Sequence, residues 1–404
     1  MSNLSQKSEL TFKHNLKQGR HGWLRLTPAY SVKIVTDILE RLGEPQRVLD
    51  PFSGTGTTGL VCAERGVNCD LVDINPFLVW LAKVKTDNYT LGELDAANQL
   101  AETAVKAARQ HPVTENLWIP PLHNIERWWD SERLIALARL FRGLQISECT
   151  GKARNLTSVA FCRVAIDWSN AAFNHQSMSF KSPQLSLFSQ KESDFIFNDF
   201  LVKMQQIISA AKNNIRGQVQ VYEGNPRYLT QILSEKYDCV ITSPPYVNRM
   251  SYIREVRPYM YWLGFLQSAR EAGELDWQAI GGTWGIATSR LNTWNPGDTV
   301  IGDDSFDDML QGIRNCSEPL ANYVHKYFLD IKTHLLSLQE VLLPGANLFW
   351  IVGNSKFYDT LIPVEQIYVK ILESIEFRDV NYTILRKRNS KKELHEFLIS
   401  ARAS

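Results

Sequence analysis

Apolar positions along the chain follow two periods. Short runs with a strand pattern recur at Val48–Asp50, Cys69–Asp73, Val219–Tyr222, Asp238–Thr242 and Leu348–Asn354, and a final pair reads Asn381–Arg386 and His395–Ala401. Between them apolar residues fall at helical spacing. Ile34, Val35, Ile38, Leu39 and Leu42 would make one face of a helix that packs on a sheet. Thr27-Pro28 is the expected start of that helix, with proline in the first turn. Further helices are expected over Leu94–Gln110, near 320–343 and over Val364–Glu376. Residues 75–216 separate the second and third strands as a large insertion, and a glycine-bearing stretch around 268–317, with Gly281-Gly282-Thr283-Trp284-Gly285, reads as a second, loop-rich one.

Two of these strands end in chemistry. Val48-Leu49-Asp50-Pro51-Phe52-Ser53-Gly54-Thr55-Gly56-Thr57-Thr58-Gly59-Leu60 is a strand, a glycine-rich bend and a helix start. Gly54 and Gly56 let the backbone approach a ligand, and the helix N-terminus offers unpaired N–H groups. Asp73 follows Asp50 by 23 residues, the spacing at which a βαβ unit sets an acid against ribose hydroxyls. No Gly-Lys-Ser/Thr follows, so a P-loop is unsupported, and the glycine spacing departs from Gly-x-Gly-x-x-Gly. The strand Asp238–Thr242 runs into Ser243-Pro244-Pro245-Tyr246. Two prolines stiffen this turn and remove two donors, which leaves its carbonyls to accept. Such a turn can hold an exocyclic amino group between oxygens while an aromatic ring stacks on the base; a plain strand-ending turn has the same outline.

Together the two motifs resemble the S-adenosylmethionine-dependent amino-methyltransferases that act on DNA, at N4 of cytosine or N6 of adenine. Asp-Pro-Phe-Ser-Gly-Thr-Gly-Thr-Thr matches that family's cofactor loop, and Thr-Ser-Pro-Pro-Tyr its catalytic turn in the serine form, typical of the N4-cytosine enzymes. The resemblance implies an α/β fold, Rossmann-like, with a seven-stranded sheet ending in an antiparallel hairpin and carrying a large helical insertion. It implies a core interrupted twice: 1–90 as the cofactor half, 91–214 as a possible target-recognition region, 215–267 as the catalytic-turn half, 268–317 as the loop-rich insertion and 318–404 as the rest of the core. The order cofactor loop, insertion, catalytic turn is the one called alpha in this family, whereas the serine form occurs more often with the reverse order.

The implied cofactor is S-adenosylmethionine, without a metal, held by Tyr30, Asp50, Pro51, Phe52, Ser53, Gly54, Gly56, Thr57, Asp73 and Asn225. Asp50 is the candidate for the methionine ammonium and Asp73 for the ribose; Asn225 stands where the family usually has an acid near the adenine amino group. Ser243, Pro244, Pro245 and Tyr246 are the candidate catalytic residues. The polar, aromatic-interleaved stretch 168–181 supplies Asn174, His175 and Lys181 as candidate DNA contacts, and Arg249, Arg254 and Arg257 follow the turn closely enough to hold a displaced backbone. The expected partners are double-stranded DNA and a restriction endonuclease acting on the same site. An N6-adenine enzyme, an RNA amino-methyltransferase and a non-catalytic S-adenosylmethionine-binding protein remain as alternatives.

Composition narrows the setting. The chain has 404 residues, 44% of them hydrophobic, enough for a large core. No apolar run is long enough for a membrane span and the N-terminus lacks a signal pattern, so a soluble cytoplasmic enzyme is expected. Six scattered cysteines form no Cys-x-x-Cys pair, and none follows a proline, as a cytosine-C5 nucleophile typically does. Net charge is only +1, so any nucleic-acid surface must be local. Residues 150–216 carry eight Lys/Arg against four Asp/Glu, and Arg386, Lys387, Arg388, Lys391 and Lys392 make the last turn basic. Asp298, Asp303, Asp304, Asp307 and Asp308 form an acidic stretch unsuited to phosphates.

Overall fold

A computed structural model describes residues 8–27, 29–43, 45–110, 117–149, 151–172, 179–180, 189–282, 286–297, 301, 304–388 and 393–404. Its centre is one sheet of seven strands: β1 (Arg47–Asp50), β2 (Asn68–Asp73), β3 (Val219–Glu223), β4 (Tyr237–Thr242), β5 (Leu342–Gly353), β6 (Arg378–Lys387) and β7 (His395–Arg402). Their order is β6-β7-β5-β4-β1-β2-β3. The first five strands run parallel, with Val48 opposite Cys69 on one side and Cys239 on the other. β7 is antiparallel to both its neighbours, with Leu398 opposite Ile351. The chain leaves β1 toward β2 and later returns to β4 on β1's other side. Ligands of open parallel sheets bind at such a switch point, beyond the carboxyl ends of the strands. The Rossmann-like α/β architecture and its antiparallel finish are as the sequence implies.

The helices follow from faces and caps. α1 (Val32–Leu42) buries Ile34, Val35, Ile38 and Leu39 against the sheet, and its start is Ser31, whose hydroxyl accepts from the Lys33 N–H. The helix therefore starts a turn later than the expected Thr27, because Thr27 is engaged elsewhere: its N–H and hydroxyl both donate to Glu255 Oε1, at 2.9 and 2.8 Å. α2 (Thr57–Arg65) follows β1, and α3 (Pro76–Lys85) follows β2 with Pro76 in its first turn and Asn75 as its cap.

The insertion is helical: α4 (Leu91–Gln110), α5 (Ser131–Ile146), α6 (Gly151–Asp167) and α7 (Ser189–Ala211). Their inner faces, with Leu100, Leu140, Leu156, Phe161 and Phe200, are buried in one core with Phe77 of α3 and Trp262 of α8 (Tyr252–Trp262). Arg20 ties the N-terminal segment to this layer by donating to the carbonyls of Lys85, Ala211 and Asn213 at 2.7–3.1 Å. The segment expected to be loop-rich contains α9 (Ala269–Gln278) and α10 (Asp304–Arg314). Ser268 caps α9, and Phe306, Leu310 and Ile313 of α10 are buried on α11 (Glu318–Gln339). α12 (Val364–Ser374) completes the second face. Among the described residues, no helix is long and apolar enough to cross a membrane.

Candidate functional site

The bend after β1 is shaped by its glycines. Gly54 and Gly56 have φ of +51° and +78°, a region that costs an L residue about 1–2 kcal/mol. At Gly59 a Cβ would stand 2.6 Å from Leu71 Cδ1, so this glycine lets α2 lie directly on β2. Gly56 caps α2 without a side chain, and the helix N-terminus opens into a cleft of about 870 Å³, mouth included.

The cleft is lined by Pro51, Phe52, Ser53, Gly54 and Thr57 from the bend, by Asp73 at the end of β2 with Ile74 and Asn75 after it, and by Ser243 and Pro245 after β4. Leu26, Leu78, Ile253 and Ile280 make much of the rest of its wall apolar. Asp73 reaches back under the bend: one carboxylate oxygen accepts from the Gly54 N–H at 2.9 Å and the other from the Asn75 N–H at 2.8 Å. Burial pushes this carboxyl up to about 7, against the lowering by those two N–H donors. Ser53 Oγ is buried without a protein partner, a polar atom on the wall with bonding capacity to spare. Phe52 is held edge-on at 4.7 Å by His334, whose Nδ1 is 2.8 Å from the Pro226 carbonyl. Burial lowers that imidazole to about 4, so it is neutral and Nδ1–H donates.

Asp50 does other work than the sequence suggests. Its carboxylate is fully buried and accepts from Thr242 and the Phe52 N–H on one oxygen, at 2.6 and 3.1 Å. The other oxygen takes Tyr30 and Thr58 at 2.8 and 2.7 Å, and it does not line the cleft. Four donors already saturate it, so the structure does not offer Asp50 to a ligand ammonium. It fastens instead the ends of β1 and β4, α2 and the N-terminal segment to one another. Burial raises its carboxyl and the hydrogen bonds oppose that rise. Asn225 is likewise turned to the protein: its side-chain oxygen accepts from Arg227 N and Nε, both at 3.1 Å, and its neighbour Pro226 lines the cleft in its place.

β4 delivers Ser243-Pro244-Pro245-Tyr246 at the boundary between this cleft and a second pocket. Ser243, Tyr30, Ala29 and Tyr252 line both. Ser243 Oγ donates to the Ile351 carbonyl at 3.0 Å, which leaves its lone pairs to accept. Tyr327 donates to the Pro245 carbonyl at 2.7 Å, and the Tyr246 N–H donates to the Tyr252 hydroxyl at 2.6 Å, so the turn is clamped from two helices. The second pocket is walled by the turn after β4, the N-terminal segment from Ser8 to Tyr30 and the terminal hairpin. There the Tyr246 hydroxyl donates to Glu396 at 2.8 Å, and the Arg386 fork holds the same carboxylate at 2.7 and 3.1 Å. The Arg388 guanidinium lies 5.0 Å from the Tyr246 ring centroid. Burial and Glu396 raise the Tyr246 phenol, keeping it protonated.

Of the candidate DNA contacts, Arg249 is exposed beside the turn, with φ of +56° and its N–H on the Tyr323 hydroxyl at 3.1 Å. Arg254 and Arg257 are half-buried on α8, and burial lowers both guanidiniums. Asn174, His175 and Lys181 lie outside the described residues, as do Lys391, Lys392, Asp298, Asp303 and Thr283-Trp284-Gly285. Sequence reasoning missed Asn75, Tyr252, Glu396 and the pairing of Arg386 with it. Only Asn75 had a local signal, the Asn-Pro pair that caps α3. Among the described residues no group of three or more His, Cys, Asp or Glu side chains could hold a metal ion.

No family model matches the chain. It is 22% identical over 433 residues to the Type II methyltransferase M.BsoBI of Geobacillus stearothermophilus, covering 96% of this chain and 85% of that protein. It is 22% identical over 422 residues to the Type II methyltransferase M.AvaI of Nostoc sp., covering 95% and 85%. The Type II methyltransferase M.MvaI of Kocuria varians aligns at 20% identity over 86% of this chain and 79% of its own length. The chain's relatives over nearly its whole length are Type II methyltransferases, and methyl transfer is the activity that this likeness supports.

Proposed function

We propose that the protein methylates double-stranded DNA, taking the methyl group from S-adenosylmethionine to the exocyclic N4 of a cytosine at a specific site, as the protective enzyme of a restriction–modification system. One observation carries the reading: Ser243 stands on the wall shared by two adjoining pockets. One has the sequence motifs and the carboxylate that suit a nucleoside cofactor, and the other has an aromatic ring and charged side chains that suit a base.

The cofactor fits the residues present. Asp73 would accept from the ribose hydroxyls, the apolar walls with Phe52 and Ile74 would cover the adenine, and the open N-terminus of α2 with Ser53 would take the polar methionine end. Bound there, S-adenosylmethionine supplies an electrophilic sulfonium methyl. The protein's part is positioning. Ser243 Oγ and the Pro244 carbonyl accept from the two N–H groups of the target amino group, which turns its lone pair away from the ring and toward the cleft. Tyr246 stacks on the base, and Glu396 fixes the ring in place through the phenol. Serine is a weak base, so the proton leaves after transfer, to solvent. A duplex base must be flipped to reach this pocket, at a cost of a few kcal/mol. Arg249, exposed beside the turn, is placed to meet the displaced backbone.

The test is to express the protein in a bacterial host free of methylation and to sequence its DNA by a single-molecule method that reports modified bases. N4-methylcytosine in one short motif is the expected result, and it supplies the recognition site. N6-methyladenine would keep the enzyme class and overturn the choice of base. Unmodified DNA from a protein that still binds S-adenosylmethionine would overturn DNA as the substrate.

A further inference from the structure

We propose that Arg388 selects the target base, its guanidinium fork donating to N3 and O2 of the flipped cytosine. The proposal rests on the reading of the second pocket as the base site. Arg388 follows β6 and shares that pocket with Ser243 and Tyr246. It is fixed at both ends. Its backbone N–H donates to the Leu394 carbonyl at 2.9 Å and its Nη1 to the Asn354 carbonyl at 2.6 Å. Asn354 in turn accepts from the His395 N–H at 2.9 Å, so one residue at the end of β5 pins both arms of the hairpin turn. The end of β5 is also left bare for this contact. A Cβ on Gly353 would stand 2.8 Å from Arg388 Nη1 and 2.9 Å from Tyr246 Cε2. Glycine there lets guanidinium and ring meet against the strand.

The pocket holds two arginines with different commitments. Arg386 spends its fork on Glu396, whose oxygens are shared with Tyr246. Among the described residues Arg388 gives one hydrogen bond from its guanidinium, to Asn354, out of five N–H donors. With the amino group at Ser243 and Pro244, a cytosine presents N3 and then O2, two acceptors side by side. That is the pattern a planar fork matches. Adenine held by its amino group presents N1 and then a C2–H, so the second donor meets carbon and goes unpaired. A bidentate pair of this kind discriminates by roughly 10- to 100-fold.

The experiment uses duplexes carrying the site found by sequencing, with either cytosine or 3-deazacytosine at the target, and two enzymes, wild type and Arg388→Met. The wild type is expected to lose about 10- to 100-fold in kcat/KM on the analogue. Arg388→Met is expected to be slow on cytosine by a similar factor and to lose on the analogue about 10- to 100-fold less than the wild type does, because the donor and its acceptor are already uncoupled. The intrinsic effect of the missing ring nitrogen cancels between the enzymes. Calorimetry of S-adenosylmethionine binding shows whether the variant is folded; if it is not, Arg388→Lys, which keeps the charge without the fork, takes its place in the same cycle. Equal losses for both enzymes on the analogue, or an Arg388 variant as fast as wild type on cytosine, overturn the role of Arg388 while N4-methylcytosine formation by the wild type leaves the function standing. A wild type that methylates adenine overturns both.

Discussion

The two pockets that meet at Ser243 are built in opposite ways. The proposed cofactor cleft draws most of its polar wall from two short stretches, 51–57 and 73–75, each at or directly after the end of a strand of the parallel sheet. The proposed base pocket is assembled from three pieces far apart in the chain: the N-terminal segment, the turn after β4 and the terminal hairpin with Arg386, Arg388 and Glu396. One is mostly apolar with a single reachable carboxylate; the other is closed by a buried ion pair. A site made of consecutive residues is specified by local backbone geometry. A site made of distant ones is specified by packing, and its failure modes differ accordingly.

The largest effect should come from the buried pair of the base pocket. Glu396 and Arg386 side chains are 6% and 15% exposed, and Glu396 also accepts from Tyr246. Glu396→Ala leaves a guanidinium and a phenol without their acceptor and should cost about 3–5 kcal/mol in chemical denaturation. Glu396→Gln, which still accepts from Tyr246, should lose clearly less. Equal large losses for the two would mean that the charge on Arg386 rather than the bond from Tyr246 sets the cost, and negligible losses for both would mean that the carboxylate holds nothing in place. Next comes the residue common to both pockets. Ser243→Ala should lower kcat by about 10²–10³-fold, as removal of one preorganised polar group typically does, with the Kd for S-adenosylmethionine within about two-fold of wild type. A raised Kd with unchanged kcat would move Ser243 to the cofactor side alone.

These contrasts explain what could be read in advance. β1 and the glycine bend were legible because strand, turn and helix start are encoded within a dozen residues, and the place of Asp73 on the cleft wall because the spacing of a βαβ unit sets it. The alternation of strands and helices gave the sheet and its final hairpin for the same reason. Asp50 misled because its neighbours in space, Thr242 and Tyr30, lie 192 and 20 residues away in the chain and claim its oxygens. Glu396 was invisible: nothing at position 396 distinguishes a strand glutamate facing solvent from one facing Arg386 and Tyr246. The stretch 268–317 looked loop-rich because its glycines are local signals, while the helical face of α10 is set by what it buries on α11.

A smaller effect separates local from assembled specification on the cofactor side. Gly56 has φ of +78° and a Cβ there would stand 3.0 Å from Ala82 Cβ. Gly56→Ala should cost about 1–2 kcal/mol in stability and weaken S-adenosylmethionine binding, while the base pocket keeps its affinity for a cognate duplex. Loss of duplex binding as well would show that the two pockets are mechanically one.

The smallest effect is carried by protons. Burial holds the Asp73 carboxyl at about 7, above its ordinary value near 4. Between those two values the unfolded chain is ionised there and the folded protein is not, so the unliganded protein loses stability as pH rises from about 4 to about 7. A cofactor that donates two hydroxyls to Asp73 prefers the ionised form, so its affinity should run the other way. Taking the ionised fraction from about nine-tenths at pH 8 to about one-tenth at pH 6, the Kd for S-adenosylmethionine should rise by roughly tenfold across that interval. Asp73→Asn should bind more weakly at pH 8 and show almost no dependence between the two. Calorimetric titrations at both pH values decide it: a flat profile for the wild type would mean that Asp73 does not meet the cofactor, and a slope that survives Asp73→Asn would place the titrating group elsewhere in the cleft.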